Sequence, residues 1–184
     1  MEDKKTDTKL TAPRPTAREI LTAPIRVDEI EWRIGSKSKE TVPENKRKTS
    51  ILAYITNRAV MERLDAAFGW DGWENNFREV TGGFICGIKV LTVQDGEPVW
   101  ILKEDGAPRS DIEALKGGLS DSMKRTAVQF GIGRDLYNYP KTYMKGLHKW
   151  IPDWAKERLE GMVHTMNNDP GIVPPVVIFN PPKT

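Results

Sequence analysis

The sequence predicts an α+β fold, in which a three-stranded antiparallel β-meander packs against two main helices, with an extra N-terminal strand and a C-terminal helix. Two segments, residues 50–68 and 110–130, repeat apolar side chains at the helical spacing. Between them, residues 73–102 contain three strand-like runs separated by glycine turns, which is the pattern of consecutive hairpins. At 184 residues, the chain has the length of one compact domain with tails.

Changes in composition divide the chain into four parts. Residues 1–25 carry few large apolar side chains to offset their ordering entropy, so we expect a mobile N-terminal arm. Residues 26–142 are the predicted core domain. Residues 143–169 are a C-terminal helical extension, with Pro152 at its first turn and four apolar residues: Trp150, Trp154, Leu159 and Val163. Residues 170–184 are a proline-rich tail that either docks on the domain or remains free.

The first strand and helix A are predicted on either side of a polar loop. Three apolar residues of the strand alternate with polar ones: Ile30, Trp32 and Ile34. The strand ends at Gly35, and the loop covers residues 36–49. Helix A then begins at Ser50, with Ser50 or Thr49 as its cap and Gly69 after its last turn. Its apolar residues are Ile51, Ile55, Ala59, Leu64, Ala67 and Phe68.

The predicted meander is followed by helix B. Its strands cover residues 73–80, 84–93 and 99–102, with turns at Gly82-Gly83 and Asp95-Gly96. Ser110 and Glu113 form a capping box at the start of helix B, and Gly131 ends it. Its apolar stripe contains Ile112, Leu115, Leu119, Met123, Ala127 and Phe130. Gly117 and Gly118 each cost about 1 kcal/mol relative to Ala, so close packing against them is expected.

Charge and cysteine content limit the kind of site and the compartment. Lys and Arg total 28 against 26 Asp and Glu, so a site for a polyanion must be a local basic surface. Cys86 is the single cysteine, which excludes an intramolecular disulfide and a four-cysteine zinc site and favours the reducing cytoplasm. No apolar run approaches the roughly 20 residues that cross a bilayer, so we expect neither secretion nor membrane insertion.

Helix B carries the most informative basic pair. Lys124 and Arg125 fall on either side of the face opposite the apolar stripe, and Lys116 falls on the flank of the stripe. Adjacent cations on a rigid helix can contact phosphates, because Arg forks onto two oxygens and Lys acts as a point charge. Spacing alone favours a plainer interpretation, a solvated face on which Asp121 pairs with Arg125.

A second basic cluster precedes helix A. Between Lys37 and Lys48, five cations meet two anions, and the cations are Lys37, Lys39, Lys46, Arg47 and Lys48. Such a loop can close over a nucleic-acid backbone. Tyr54 offers a ring on which a base can stack, although a half-buried core tyrosine is the favoured interpretation. Trp70 and Trp73 are interpreted as structural residues that close the end of the core.

Motifs for catalysis, cofactors and metals are weak. Gly82 and Gly87 have the separation of a phosphate loop, but Ile88 stands where its lysine should be. Gly131 and Gly133 lack the third glycine of a dinucleotide fingerprint. Few residues could serve as metal ligands or as members of a catalytic triad, since the chain has two histidines: His148 and His164. Carboxylates for a two-metal nuclease are scattered: Asp65, Asp71, Asp105, Asp111 and Asp121. We expect no catalytic residue, cofactor or metal.

Two blocks of sequence and the meander between them carry a family resemblance. Residues 53–73 run from Ala-Tyr-Ile to Phe-Gly and then Gly-Trp. Residues 119–137 run from Leu-Ser-Asp-Ser-Met-Lys-Arg through Phe-Gly to Leu-Tyr, and residues 31–34 read Glu-Trp-Arg-Ile. Together they resemble the Rad52 superfamily, specifically its phage single-strand annealing branch, often called Sak. The match covers about residues 30–140, and the order of the blocks makes it specific.

The resemblance implies binding of single-stranded DNA and ATP-independent annealing of complementary strands in homologous recombination and DNA repair. Members of the family assemble into rings or helical arrays with the strand in an outer basic groove, so a homo-oligomeric ring or filament is expected. Carried over by position, Lys124 and Arg125 are the first candidates for backbone contacts and Lys116 a weaker one. The basic loop of Lys46, Arg47 and Lys48 becomes the upper lip of the groove, and a phage-encoded member acts in the cytoplasm of its bacterial host.

The sequence also departs from the family pattern. Val128 replaces a further arginine of the eukaryotic relatives and Gln94 replaces a lysine, which weakens any claim to a second DNA site. No counterpart of the eukaryotic recombinase-binding region is visible, so that partner is not carried over. A single-strand-binding or exonuclease partner remains unidentified. Two other classes stay open: a metal-dependent nuclease of recombination and a scaffold or adaptor that binds no DNA.

Overall fold

The structure, a computed structural model, describes residues 14–109 and 114–182. The predicted capping box of Ser110 and Glu113 lies outside the described residues, as does the first half of the predicted arm, residues 1–13. The predicted α+β class is confirmed. Within the described ranges, the α-helices are α1 (Ala17–Leu21), α2 (Asn57–Phe68), α3 (Ala114–Gln129) and α4 (Asp153–Asn168). The strands are β1 (Ile30–Lys37), β2 (Lys48–Ile55), β3 (Trp73–Val80), β4 (Gly83–Gln94), β5 (Glu97–Pro108), β6 (Lys141–Lys145) and β7 (Val176–Phe179).

The predicted meander is the sheet β3-β4-β5, and all its pairs are antiparallel. Gly82 has φ 83°, and Asp95 and Gly96 have φ 51° and 86°, the left-handed values that tight hairpin turns require. One face of β4 packs on α2 and α3 through buried residues that alternate along the strand: Phe84, Cys86, Ile88 and Val90. The three strands and helix B were therefore predicted in the right order. The third strand is longer than the predicted residues 99–102, and Leu115 of the predicted apolar stripe is 61% exposed.

Gly118 identifies the close packing that helix B requires. A Cβ at this position would lie 2.3 Å from Cδ2 and 2.8 Å from Cε2 of Phe84. Those distances are far inside van der Waals contact, so only glycine admits the Phe84 ring against α3. Packing of the ring offsets the conformational cost of the glycine.

A second sheet has the order β1-β2-β6-β7, with antiparallel pairs except for the parallel pair β6-β7. The predicted first strand is confirmed, although it continues past Gly35 to Lys37. The proline-rich tail docks through β7, in which Val176 lies opposite Lys141. The predicted third helix is α4, and Pro152 is its N-cap residue. It covers this sheet. Its Ala155, Leu159 and Met162 form a core with three residues of the sheet: Ile51, Met144 and Phe179.

The predicted start of helix A is wrong. Residues 48–55 form β2, and α2 begins at Asn57 after Thr56, whose Oγ1 accepts a hydrogen bond from the Ala59 N–H at 3.1 Å. Ile51 and Ile55 are four residues apart, which suits both a helix and a strand. The β-branched residues at alternate positions favour the strand, which buries Thr49 and both isoleucines.

The prediction of a mobile arm over residues 1–25 is wrong for its second part. Residues 17–21 form α1, which begins with a capping box between Thr16 and Glu19. Leu21 and Ile25 then enter the core shared by α2, α3 and β4. Composition underestimated this segment because two well-placed apolar side chains are enough to dock it. None of the helices in the described ranges is both long and apolar enough to cross a membrane.

Candidate nucleic-acid interface

A groove of about 530 Å³ runs between the second sheet and α3. One wall is β2, and the other is the surface of α3 together with the end of β5 at Ala107 and Pro108. The segment after α3, residues 133–142, closes one side. Three of the predicted site residues line this groove: Tyr54, Lys124 and Arg125.

Lys124 lies inside the groove wall, and its side chain is nearly buried, with 8% of the residue exposed. Its Nζ is 5.8 Å from the centroid of the Tyr54 ring and 3.9 Å from Oε2 of Glu31. Desolvation lowers the pKa of Lys124, and the charge of Arg33 lowers it further, while Glu31 and Asp121 act in the opposite direction. The expectation that Lys124 faces solvent is wrong because α3 packs on the meander with one face and approaches the second sheet with another. Its contact with DNA stays a prediction.

Arg125 is exposed at the rim of the groove, as predicted. Its Nε lies 3.2 Å from Oδ1 of Asp105, a residue of the meander. The expected helical partner Asp121 instead acts electrostatically on Arg33 and Lys124. The Arg125 guanidinium is thus held at the groove by a neighbouring strand, and an exposed pair of this kind exchanges readily for another anion.

Tyr54 lies on β2, not on a helix, and is half-buried. Arg33 on β1 places its Cζ 5.3 Å from the centroid of the Tyr54 ring, within cation–π range. Arg33 is a functional candidate that the sequence analysis missed. Alternation along residues 31–34 was the available signal, since it places Arg33 on the face opposite Trp32. Because residues 50–55 were predicted as the start of helix A, the pairing of β1 with β2 was not predicted.

Tyr137 and Lys141 are two further groove residues without an assigned role in the sequence analysis. Tyr137 is 73% exposed, and both residues line the groove. An aromatic ring with its face in water at the edge of a cationic groove is able to stack on a nucleobase. The Leu-Tyr pair that ends the second family block was the signal for Tyr137.

The other predicted site residues lie away from the groove. Lys48 starts β2, so it is roughly 20 Å along the strand from Tyr54. Its Nζ lies 4.0 Å from the centroid of the Tyr143 ring. The guanidinium of Arg47 donates hydrogen bonds to the carbonyl oxygens of Val42 and Glu40, at 2.9 Å and 2.6 Å. The last two predicted site residues, Lys46 and Lys116 in the first part of α3, are exposed and do not line the groove.

The two tryptophans after α2 differ in their environment. Trp73 packs against the main core, and its Nε1 donates to Oδ1 of Asp65 at 2.7 Å, so its structural interpretation is confirmed. Trp70 is 83% exposed, and the same interpretation is wrong for it. Of the aspartates considered for a nuclease, Asp111 lies outside the described residues. Residues 14–109 and 114–182 contain no group of three His, Cys, Asp or Glu side chains that suits a metal ion.

Comparison with known proteins identifies the family. The model of the Rad52/22 family of double-strand break repair proteins matches residues 14–149, which include every residue of the groove. The chain belongs to the Rad52/22 family. The predicted membership of the Rad52 superfamily is therefore confirmed, while its phage branch stays a prediction.

Two curated relatives are similar over most of the chain. The single-stranded DNA-binding protein DdrA of Deinococcus radiodurans is 34% identical over 159 residues, which cover 78% of this chain and 71% of the relative. The protein of the same name from Deinococcus deserti is 33% identical over 162 residues, covering 78% of this chain and 73% of the relative. The similarity thus extends over more than two thirds of each protein.

Proposed function

We propose that this protein binds single-stranded DNA in the groove and anneals complementary strands without ATP, in homologous recombination and DNA repair. One observation carries the proposal: cations from β1 and α3 converge on the ring of Tyr54, which lines a groove within the family match. Membership of the Rad52/22 family supports it, as does the similarity to the DdrA proteins, which are named single-stranded DNA-binding proteins. The protein acts in this proposal as a binding and annealing protein in the cytoplasm, not as an enzyme.

The cations hold the phosphates. Arg33 and Arg125 are exposed and offer planar donors for two phosphate oxygens each. Lys124 is nearly buried, so its charge is weakly screened by water and attracts a phosphate more strongly than a surface lysine does. Each neutralised phosphate releases condensed counterions, and binding therefore weakens as salt increases.

Aromatic rings assist the cations at the same groove. The ring centroid of Tyr54 on β2 lies 5.3 Å from Cζ of Arg33 and 5.8 Å from Nζ of Lys124, so the ring attracts both cations. Tyr137 is exposed and stacks on a base. Contacts to phosphates and ring faces carry little sequence information, which suits a protein that must accept any strand. Annealing follows when the second strand finds its register and base-pair stacking supplies the driving force.

Longer strands require several subunits. The outward face of the meander exposes apolar side chains on neighbouring strands, with Leu91 opposite Trp100 and Leu102 beside them. Such a patch is typical of an association surface. We propose that copies of the chain associate through it into a ring or helical filament whose grooves follow one another. Lys116 and the basic loop of Lys46, Arg47 and Lys48 are then secondary contacts for DNA that leaves one groove.

Titration of a labelled oligonucleotide with the full-length protein tests the proposal. We expect a dissociation constant that rises steeply with salt and depends little on base sequence. Mixing the protein with two complementary oligonucleotides, without nucleotide or metal, should accelerate duplex formation over the spontaneous rate. Salt-independent binding or an unchanged annealing rate would overturn the proposal. Shortening of the DNA on a denaturing gel with magnesium or manganese would identify a nuclease instead.

A further inference from the structure

Glu31 contacts two cations at the groove: Lys124, which lines it, and Arg33, which lies beside it on β1. Its Oε1 accepts a hydrogen bond from Nε of Arg33 at 2.9 Å, and its Oε2 accepts one from Nη2 at 3.0 Å. The same Oε2 lies 3.9 Å from Nζ of Lys124. This two-pronged contact is the geometry in which a guanidinium also binds a phosphate. The Arg33 guanidinium is therefore already engaged in the contact with which it would bind a phosphate.

The β-structure fixes this arrangement. Glu31 and Arg33 are two residues apart on β1, so their side chains lie on the same face of the strand. Glu31 is paired in register with Tyr54, the residue whose ring both cations approach. We call Glu31, Arg33, Tyr54 and Lys124 the groove cluster.

Glu31 remains charged at neutral pH. The hydrogen bonds from Arg33 lower the pKa of Glu31 despite its partial burial, and the charges of Arg33 and Lys124 lower it further. Both Lys124 and Arg33 thus face a full negative charge in the free protein. Any phosphate that approaches them must compete with it.

The contact is replaceable without loss of the fold. The side chains of Glu31 and Arg33 are 44% and 49% exposed. Ion pairs with this exposure contribute little to stability. Water and ions reach both partners, so exchange of the carboxylate for a phosphate requires no unfolding.

We propose that Glu31 is an internal competitor of the DNA backbone, which holds Arg33 and Lys124 in the free protein and gives them up when a strand enters the groove. The inference rests on the proposed function of the groove. Competition weakens the hold on each phosphate, because the displaced carboxylate also repels the strand. A weakly held strand can shift its register on the protein, which is the property that a search for complementarity requires.

Glu31→Gln tests the inference, because it keeps the shape of the side chain and removes its charge. Glu74→Gln is the matched control, since Glu74 on β3 pairs at 2.8 Å with Lys89, a cation outside the groove cluster. Both variants change the net charge equally. At about 0.1 M salt, we expect Glu31→Gln to bind a labelled oligonucleotide roughly three- to tenfold more tightly than the wild type, and Glu74→Gln less than twofold. Equal affinities of the two variants would overturn the inference.

A double-variant cycle separates competition from a general charge effect. The gain from Glu31→Gln should shrink when Arg33→Ala is already present, because the main donor is absent. The same gain in both backgrounds would contradict the inference. Urea unfolding of each variant verifies that the fold is intact. Failure of the wild type itself to bind DNA in a salt-dependent way would instead overturn the proposed function, which distinguishes the two failures.

Discussion

Arg63 on α2 and Glu29 form an ion pair in the protein interior. Nη2 of Arg63 lies 2.7 Å from Oε2 of Glu29, and Nε lies 2.7 Å from Oε1. The remaining donors of the guanidinium bind three backbone carbonyl oxygens of the N-terminal segment: Leu21, Ala23 and Pro24. One side chain thereby fixes the path of the chain from α1 to β1.

Removal of this arginine should destabilise the protein strongly. Arg63→Ala leaves the buried Glu29 carboxylate with Arg26, whose side chain is exposed, as its remaining cationic partner. Loss of a buried partner typically costs about 3–5 kcal/mol. Urea denaturation measures the loss as a lower transition midpoint. Arg78→Ala serves as the control, because it breaks an exposed pair with Glu104 and should cost at most about 1 kcal/mol. Similar losses for the two variants would show that the buried pair contributes little.

The same pair predicts a loss of stability in acid. Burial raises the pKa of Glu29, but the hydrogen bonds from Arg63 and Arg26 outweigh it, and the pKa is lowered in the folded protein. The stabilisation is present above the pKa of the unfolded chain, about 4.3, and disappears as the pH falls through the lower folded value. Unfolding free energies measured from pH 7 to pH 3 should decline less steeply for Glu29→Gln than for the wild type. Parallel pH profiles would assign the decline to other groups.

Loss of the two α3 cations should weaken DNA binding for every sequence. The double variant Lys124→Ala with Arg125→Ala removes two phosphate contacts, so the slope of log affinity against log salt should flatten by about one unit per contact. Arg18→Ala with Lys156→Ala removes the same charge from exposed positions outside the groove. Equal salt slopes for the two double variants would place the DNA elsewhere on the protein.

Tyr137 should contribute to affinity without contributing to stability. Tyr137→Leu removes an exposed ring, and the loss of one stacked base should weaken binding by about 1 kcal/mol or more, roughly fivefold. Trp150→Leu removes a comparably exposed ring outside the groove and should leave the dissociation constant unchanged. Titration with an oligonucleotide distinguishes them, and equal affinities would remove Tyr137 from the site.

Two helical glycines predict opposite effects on stability. Gly118→Ala places a Cβ against the Phe84 ring and should destabilise the protein by about 1–3 kcal/mol. Gly161→Ala in α4 has nothing within 4 Å of its new Cβ and should stabilise by up to about 1 kcal/mol. Thermal unfolding compares both with the wild type. Stabilisation by Gly118→Ala would mean that the Phe84 ring moves away at little cost.

The meander and α3 were predictable because their signals are local. Paired turn residues such as Asp95 and Gly96 mark the hairpins, and the apolar stripe of helix B faces one sheet. β2 was missed because the spacing of Ile51 and Ile55 fits two periods. The pairing of β7 with β6 joins residues far apart in the chain, and no local pattern reports such a contact.

The candidate site was predicted in part for a similar reason. The apolar stripe of a helix indicates one packing surface, whereas α3 has two. Thr126 donates to the carbonyl oxygen of Cys86 on the meander, and Lys124 lies close to Glu31 on β1 and Tyr54 on β2. The sequence therefore located the basic pair but not the burial of its lysine. Arg33 and Glu31 became visible only with the register of β1 on β2.

The parallel pairing of β7 with β6 sets a lower limit on the fragment that can fold by itself. The family match ends at residue 149, before α4 and β7 begin. A fragment cut there would uncover Ile51 on β2 and Met144 on β6, which these two elements bury. The wall of the groove thus packs on a segment outside the matched region, and we expect a fragment that folds by itself to include Phe179.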